Sequence, residues 1–362
     1  MMQSEPDGVE VVATRAHAAR LPAPPLLVVD AIETYLDELE IGSGHMMWSR
    51  IGDGQSNVTY LISRGGTEVV LRRGPRPPLP RSTHDMVREA RIQHLLHAEG
   101  IPVPQVLAVC EDDARLGVPF YLMEYVLGDV ITDSIPPHLN SLEQRRATAI
   151  QLVDTLVQLH DVDIGRGELA GFGRPDGYLK RQVERFSSLW LPNTQRALPQ
   201  VAAIGHWLIE HLPKTQKSAI VHGDYRLGNL MFGDEAPATV RAVLDWEMAA
   251  LGDPLADLGY LTATYAADDH VPTLMELSPV TREAGFLTSA EIIERYQSRS
   301  GLDVSGLGWY QTLALWKSAI FCEAIYTRWL QRERPDDATF APTLLEGVPA
   351  LLRQAAVFAD MH

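Results

Sequence analysis

Between residues 45 and 73 apolar and polar positions alternate with a period of two in three short runs: "HMMWSRI" (45–51), "NVTYLISR" (57–64) and "TEVVLRR" (67–73). That period belongs to half-buried strands. The joints "GDGQS" and "RGG" carry the glycines that tight turns need, so the three runs read as an antiparallel meander. After the proline-rich "GPRPPLPR" (74–81), Ser82 or Thr83 is placed to cap a helix that ends near Glu99 and Gly100. Val106–Cys110 and Val118–Met123 read as two further strands, and "LLVVDAIETYLDEL" ahead of the meander has helical spacing. From Ser141 onward the period changes to 3.6. "SLEQRRATAIQLVDTLVQLHDVD" is an amphipathic helix, two more are expected between 176 and 212, and 253–362 is mostly helical. "TVRAVLDWE" (239–247) is strand-like. The expectation is an α+β chain in two lobes. Residues 1–26 form a flexible tail, 27–125 a small β-rich lobe, and 126–362 a larger, mostly helical lobe, with a connector near Glu124 and Tyr125.

Composition narrows the function classes. The chain has 362 residues, 46% of them hydrophobic and 22% charged, as for an ordinary water-soluble globule. Lys and Arg total 31 against 47 Asp and Glu, a formal charge of −16 that speaks against a general nucleic-acid binder. Cys110 and Cys322 have no ligand-like spacing, which fits a reducing, cytoplasmic setting. The first 25 residues carry early acidic groups and no apolar core of a secretory signal. The longest apolar run, 309–330, contains Lys317, Glu323 and Arg328 and is expected to be a buried helix rather than a membrane span.

The chemistry concentrates in "VHGDYRLGNLMF" (221–232) and "LDWE" (244–247). Asp224 and Asn229 stand five residues apart on a polar loop flanked by strand material, and Asp245 follows at the end of an apolar run. A carboxylate at a strand end beside a carboxamide makes a hard-oxygen site of the kind Mg²⁺ takes, with waters and substrate phosphates completing its shell. Asp224 then remains to accept a proton. A base for a hydroxyl and metal ligands for nucleotide phosphates are the two needs of phosphoryl transfer to an alcohol.

"HGDYRLGN" followed by "LDWE" resembles the catalytic and metal-binding motifs of the aminoglycoside phosphotransferase family, relatives of the protein kinases. "LVQLHDVD", "LGDPLADLGYL" and "PFYLMEYVLG" extend the resemblance over about residues 45–330. It is particularly close to kinase-like domains that include those fused to acyl-CoA dehydrogenases. The resemblance implies a bilobal protein-kinase-like fold and an ATP- or GTP-dependent kinase acting on a small-molecule hydroxyl. It casts Asp224 as catalytic base, Asn229 and Asp245 as Mg²⁺ ligands, and Arg226 as a cation facing the transferred phosphoryl group. His222 and Asp257 are expected to hold the loop.

The same resemblance implies a nucleotide site in the first lobe. Gly54, Ser56 and Asn57 lie where the family has its phosphate-covering loop. Arg72 stands where the usual pattern has Lys, with Glu89 as its ion-pair partner, and the backbone of Glu124 and Tyr125 is placed to read the base. Residues 301–362 hold seven acidic and five basic groups, no strong acidic cradle for a polycation. The acceptor is therefore open among an aminoglycoside-like compound, another alcohol and a hydroxyacyl compound. Two alternatives stand beside this reading: a nucleotide-binding pseudokinase, motivated by Arg72, and a metal-dependent phosphohydrolase.

Overall fold

The computed structural model describes residues 4–5, 8–52, 57–77, 85–267, 272–333 and 339–361. The chain divides into two compact units, Met1–Leu127 and Gly128–His362.

In the first unit, β1 (Val11–Val12) pairs in parallel with β2 (Leu27–Val28), which runs directly into α1 (Val29–Glu38). A five-stranded antiparallel sheet follows. Its strands are β3 (Met47–Arg50), β4 (Val58–Arg64), β5 (Thr67–Arg73), β6 (Val106–Cys110) and β7 (Phe120–Glu124), in spatial order β3-β4-β5-β7-β6. Between β5 and β6 comes α2 (Met86–Ala98), whose cap is Asp85: its carboxylate accepts from the Arg88 amide at 2.9 Å. Ser82 and Thr83, expected as the cap, lie outside the described residues. The β4–β5 hairpin turns on Gly65 and Gly66, both at positive φ (56° and 84°), as the two-residue turn matched to strand twist requires.

Alternation along β4 buries Val58, Tyr60 and Ile62 on one face. β5 is central, so Val69, Val70 and Leu71 are all buried. Val69 and Leu71 pack with α1, β1 and β2, while Val70 packs with Met86 and Ala90 of α2. The stretch expected to be a flexible tail is thus part of this core from Glu10 onward. Val11 and Val12 are buried, and the Glu10 carboxylate, 5% exposed, accepts from the Tyr60 hydroxyl at 3.0 Å. The apolar pairs in "VEVV" and "LLVV" carry that packing, where the Ala, Pro and charge content between them suggested looseness.

The second unit begins with β8 (Asp129–Val130) and α3 (Leu142–Asp161), then α4 (Tyr178–Trp190) and α5 (Gln200–Glu210). Four short strands follow: β9 (Ala219–Val221), β10 (Leu230–Phe232), β11 (Val240–Val243) and β12 (Ala250–Gly252). β8-β10-β11 form one small sheet and β9-β12 another. The chain closes with α6 (Leu255–Thr264), α7 (Ser289–Ser300), α8 (Leu307–Leu330) and α9 (Leu344–Phe358). α8 is the central element, packed against α4, α5, α6 and α9. Trp309, Tyr310, Trp316 and Tyr326 are core residues; the Trp309 and Trp316 indoles donate to the carbonyls of Leu208 (3.0 Å) and Val201 (2.9 Å). The buried Glu323 carboxylate is met by Arg196 and Thr194. Among the described residues no helix is long and apolar enough to cross a membrane.

Candidate active site

The loop His222–Asn229 joins β9 to β10, so each end is anchored in a different small sheet. Its side chains alternate. Tyr225 is fully buried and donates to the Leu152 carbonyl of α3 at 2.8 Å, and Leu227 is buried, while Asp224 and Arg226 between them stay about a quarter exposed. Gly223 takes φ +89°, and a Cβ there would stand 2.9 Å from Met248 atoms, so only glycine fits.

Asp257, near the start of α6 and 1% exposed, clamps the loop. Its carboxylate accepts from the amides of His222 (2.7 Å) and Gly223 (2.8 Å). His160 Nε2 lies 3.2 Å from the same carboxylate, and His160 Nδ1 lies 2.7 Å from the Tyr296 hydroxyl. The His222 ring accepts the Asp224 amide at Nδ1 (3.2 Å) and donates from Nε2 to the Leu244 carbonyl (2.9 Å). Both histidines are structural supports.

Asn229 and Asp224 are directly joined. Asn229 Nδ2 donates to the Asp224 carbonyl (2.8 Å) and to Asp224 Oδ2 (2.9 Å). That commits the amide nitrogen, and Oδ1 is left as the acceptor atom. The Leu244 amide donates to the Asn229 carbonyl at 2.8 Å, which sets Asp245 one residue beyond Asn229's backbone partner. Asp245 is held at φ 66°, ψ 66°, a left-handed conformation that costs a non-glycine residue and that clusters at functional sites. Arg226 Nε stands 3.6 Å from Asp224 Oδ2, an ion pair just beyond hydrogen-bond length. Asp224, Arg226, Asn229 and Asp245 are thus gathered on one loop and the strand end beside it. Among the described residues no three His, Cys, Asp or Glu side chains cluster to hold a metal. The donors present are oxygens of one carboxylate and one carboxamide, a set that suits a hard cation sharing its shell with water and phosphate.

Two residues of this neighbourhood have no role assigned by the sequence motifs. The Tyr260 phenol lies near Asp224; burial first, then its electrostatic interaction with Asp224, push its ionisation well above the usual range. Tyr260 follows Asp257 by three positions, one helical turn on the same face, and that spacing was the available signal. Lys317 of α8 rests over the Phe186 ring, Nζ 4.7 Å from its centroid, with no hydrogen bond or ion pair among the described residues. Burial brings its pKa down to about 8; Asp257 and Asp224 oppose that fall, and Arg185 adds to it. The sequence marks Lys317 only as a charge within the apolar run 309–330; that it meets Phe186 depends on α4 and α8 packing together.

The nucleotide-end residues lie in the first unit. Gly54 and Ser56 are outside the described residues, and Asn57 is buried. Arg72 Nε and Glu89 Oε1 pair at 2.7 Å, and the Tyr121 hydroxyl donates to the same Glu89 oxygen at 3.1 Å. Arg72 and Arg73 point to opposite faces of β5, as strand alternation demands. Arg73, fully buried, donates to the carbonyls of Leu26 (2.7 Å), Leu116 (3.2 Å) and Gly74 (2.8 Å), and burial brings its pKa down to about 10. The Glu124 amide is committed to the Gln105 carbonyl at 2.9 Å, so that group is not available to a base. Tyr125 packs beside Val70, Met86 and Tyr121.

The family pattern described as the phosphotransferase enzyme family matches residues 48–277. A relative described as acyl-CoA dehydrogenase family member 10 of Mus musculus is 36% identical over 306 residues, which is 83% of this chain. The chain spans only 28% of that relative's length. A solved structure from Ralstonia eutropha, provisionally an aminoglycoside phosphotransferase, is 27% identical with a TM-score of 0.77, covering 91% of this chain and 98% of its own. A choline kinase from Cryptosporidium parvum shares the fold at 11% identity, with a TM-score of 0.62 over 91% of this chain and 95% of its own.

Proposed function

This chain is a member of the phosphotransferase enzyme family with a kinase-like fold, and from that premise we propose that it is a Mg²⁺-dependent small-molecule kinase. It moves the γ-phosphoryl group of ATP or GTP to a hydroxyl of a small acceptor. The observation that carries the reading is the joined set Asp224, Asn229 and Arg226, with Asp245 on left-handed backbone at the adjoining strand end.

Asp224 accepts the hydroxyl proton as the new O–P bond forms and the bond from the γ-phosphorus to the bridging oxygen breaks, releasing ADP or GDP. Asn229 Nδ2 holds its carboxylate in place, and the Asp257 clamp fixes the backbone beneath it. Such positioning is most of what an enzyme contributes to phosphoryl transfer. Arg226 supplies positive charge for the equatorial oxygens of the transferred group. Asn229 Oδ1 and the Asp245 carboxylate are the residues that would hold Mg²⁺. When bound, that ion neutralises charge on the β- and γ-phosphates. In the first unit Arg72, oriented by Glu89, is the candidate cation for the nucleotide's α- and β-phosphates.

The test is ADP or GDP release with Mg²⁺ across a panel of aminoglycosides, choline-like amines, sugars and hydroxyacyl thioesters. Acceptor-dependent release that Asp224→Ala abolishes, in a protein that still binds nucleotide and unfolds normally, supports the assignment. Full turnover by Asp224→Ala removes the base. Tight nucleotide binding with no transfer to any acceptor replaces the kinase by a nucleotide-binding pseudokinase.

A further inference from the structure

A small cavity adjoins Arg226 in the second unit. Leu227, Leu261 and Leu277 form its apolar walls, and Arg226, Thr264, Tyr265 and Ser278 its polar ones. Tyr265 is 4% exposed and Ser278 6% exposed. Among the described residues Tyr265 Oη, Ser278 Oγ and Arg226 Nε are all buried without a hydrogen-bond partner. The Thr264 hydroxyl is already committed to the Tyr260 carbonyl at 2.8 Å. Isolated buried polar atoms of this kind are rare in folded proteins, and three around one cavity call for a shared occupant.

We propose that this cavity is an acceptor subsite that takes a carbonyl or carboxylate oxygen of the molecule whose hydroxyl faces Asp224. The inference rests on the phosphotransferase reading and names the acceptor chemistry within it. The donors decide the class. The Tyr265 and Ser278 hydroxyls can donate to an oxygen held beside the Arg226 charge, whereas an ammonium group, which offers only donors, would meet that charge. Among the described residues no carboxylate lines the cavity to compensate an ammonium. The space takes roughly one water-sized group, which fits a single oxygen atom between leucine walls. Arg226 joins the subsite to the chemistry, because its Nε also stands 3.6 Å from Asp224 Oδ2.

The experiment uses the full chain and four-carbon alcohols that differ in one group: a carboxylate, its methyl ester, a second hydroxyl or an ammonium. Binding is read by ligand-observed NMR without nucleotide, and ADP release with ATP and Mg²⁺ is read separately. The carboxylate- or ester-bearing alcohol should bind at least tenfold more tightly than the ammonium one. Tyr265→Phe with Ser278→Ala, which deletes only the two orphan oxygens, should erase most of that preference and leave binding of a fluorescent ATP analogue unchanged. Leu261→Phe, which fills the cavity, should do the same while binding of the ATP analogue is retained. A carboxylate that outbinds its ester assigns the ligand oxygen to a free acid, and equal binding assigns it to an acyl carbonyl. The same preference in the wild type and in both variants would mean that the cavity holds water alone, and the subsite falls. Preference for the ammonium alcohol also overturns it. Selective binding without ADP release would leave the subsite standing and count against the phosphotransferase reading.

Discussion

Replacing Lys317 by Met should stabilise the Gly128–His362 unit at neutral pH, and the gain should fade as the pH rises. Lys317 sits over Phe186 with no ion pair among the described residues, and burial brings its pKa from 10.5 down to about 8. That difference of roughly 2.5 corresponds to about 3 kcal/mol. The sign follows from proton counts. Between about pH 8 and pH 10.5 the unfolded chain holds a proton that the folded chain has released, so stability rises across that window. Below about pH 8 both states are protonated and the full cost of burying the charge is present. Met fills similar space without charge but gives up the cation–π contact, a loss of roughly 0.5–2 kcal/mol. The net expectation is a gain of about 1–3 kcal/mol at pH 7, reduced by about 1 kcal/mol at pH 9. Urea unfolding followed by tryptophan fluorescence reads it well: Trp190, Trp207, Trp246, Trp309, Trp316 and Trp329 lie in this unit, and Trp48 alone lies outside it. Taking variant minus wild type at each pH cancels the titration of the tyrosines. A variant less stable than wild type at pH 7, or a difference that does not change with pH, would refute the argument that Lys317 carries a buried and poorly compensated charge.

Three further outcomes are expected. Asp257→Asn keeps the shape of the clamp but sets an amide against two backbone N–H donors, and should cost roughly 2–4 kcal/mol in urea unfolding. It should also lower acceptor-dependent ADP release by about 10²-fold through displacement of the loop; release at the wild-type rate would show that the clamp does not position Asp224. Arg72→Met removes the cation from the Glu89 carboxylate, which is 2% exposed and keeps the Tyr121 hydroxyl, and should cost roughly 3–5 kcal/mol in the first unit; adding Glu89→Gln should recover most of it, as read from Trp48 fluorescence. Arg73→Met removes the donors that tie the Leu26 and Leu116 carbonyls to β5, so trypsin should cut faster at Arg15 and Arg20, and unchanged cleavage would mean that the segment is held by its apolar contacts alone.

Local order was legible in the chain. The period-two runs marked β3, β4 and β5, and the 3.6 period marked α3 and α8, because backbone geometry and the immediate neighbours set those periods. "HGDYRLGN" and "LDWE" marked Asp224, Asn229 and Asp245, because a short loop and a strand end fix where such side chains emerge. Arg72 and Arg73 read as neighbours of one kind, yet the pleat sends the first to Glu89 and the second to a ring of carbonyls. What only tertiary structure decided depends on segments distant along the chain. Asp257 reaches back to the amides of His222 and Gly223, Tyr260 turns toward Asp224, and α4 and α8 close over Lys317. Residues 10–28 acquire a partner only when Val11 and Val12 meet Leu27 and Val28. Charge burial, orphaned hydroxyls and clamped loops are properties of the whole packing, because each is set by which atoms exclude water, and no window of neighbouring residues contains that information.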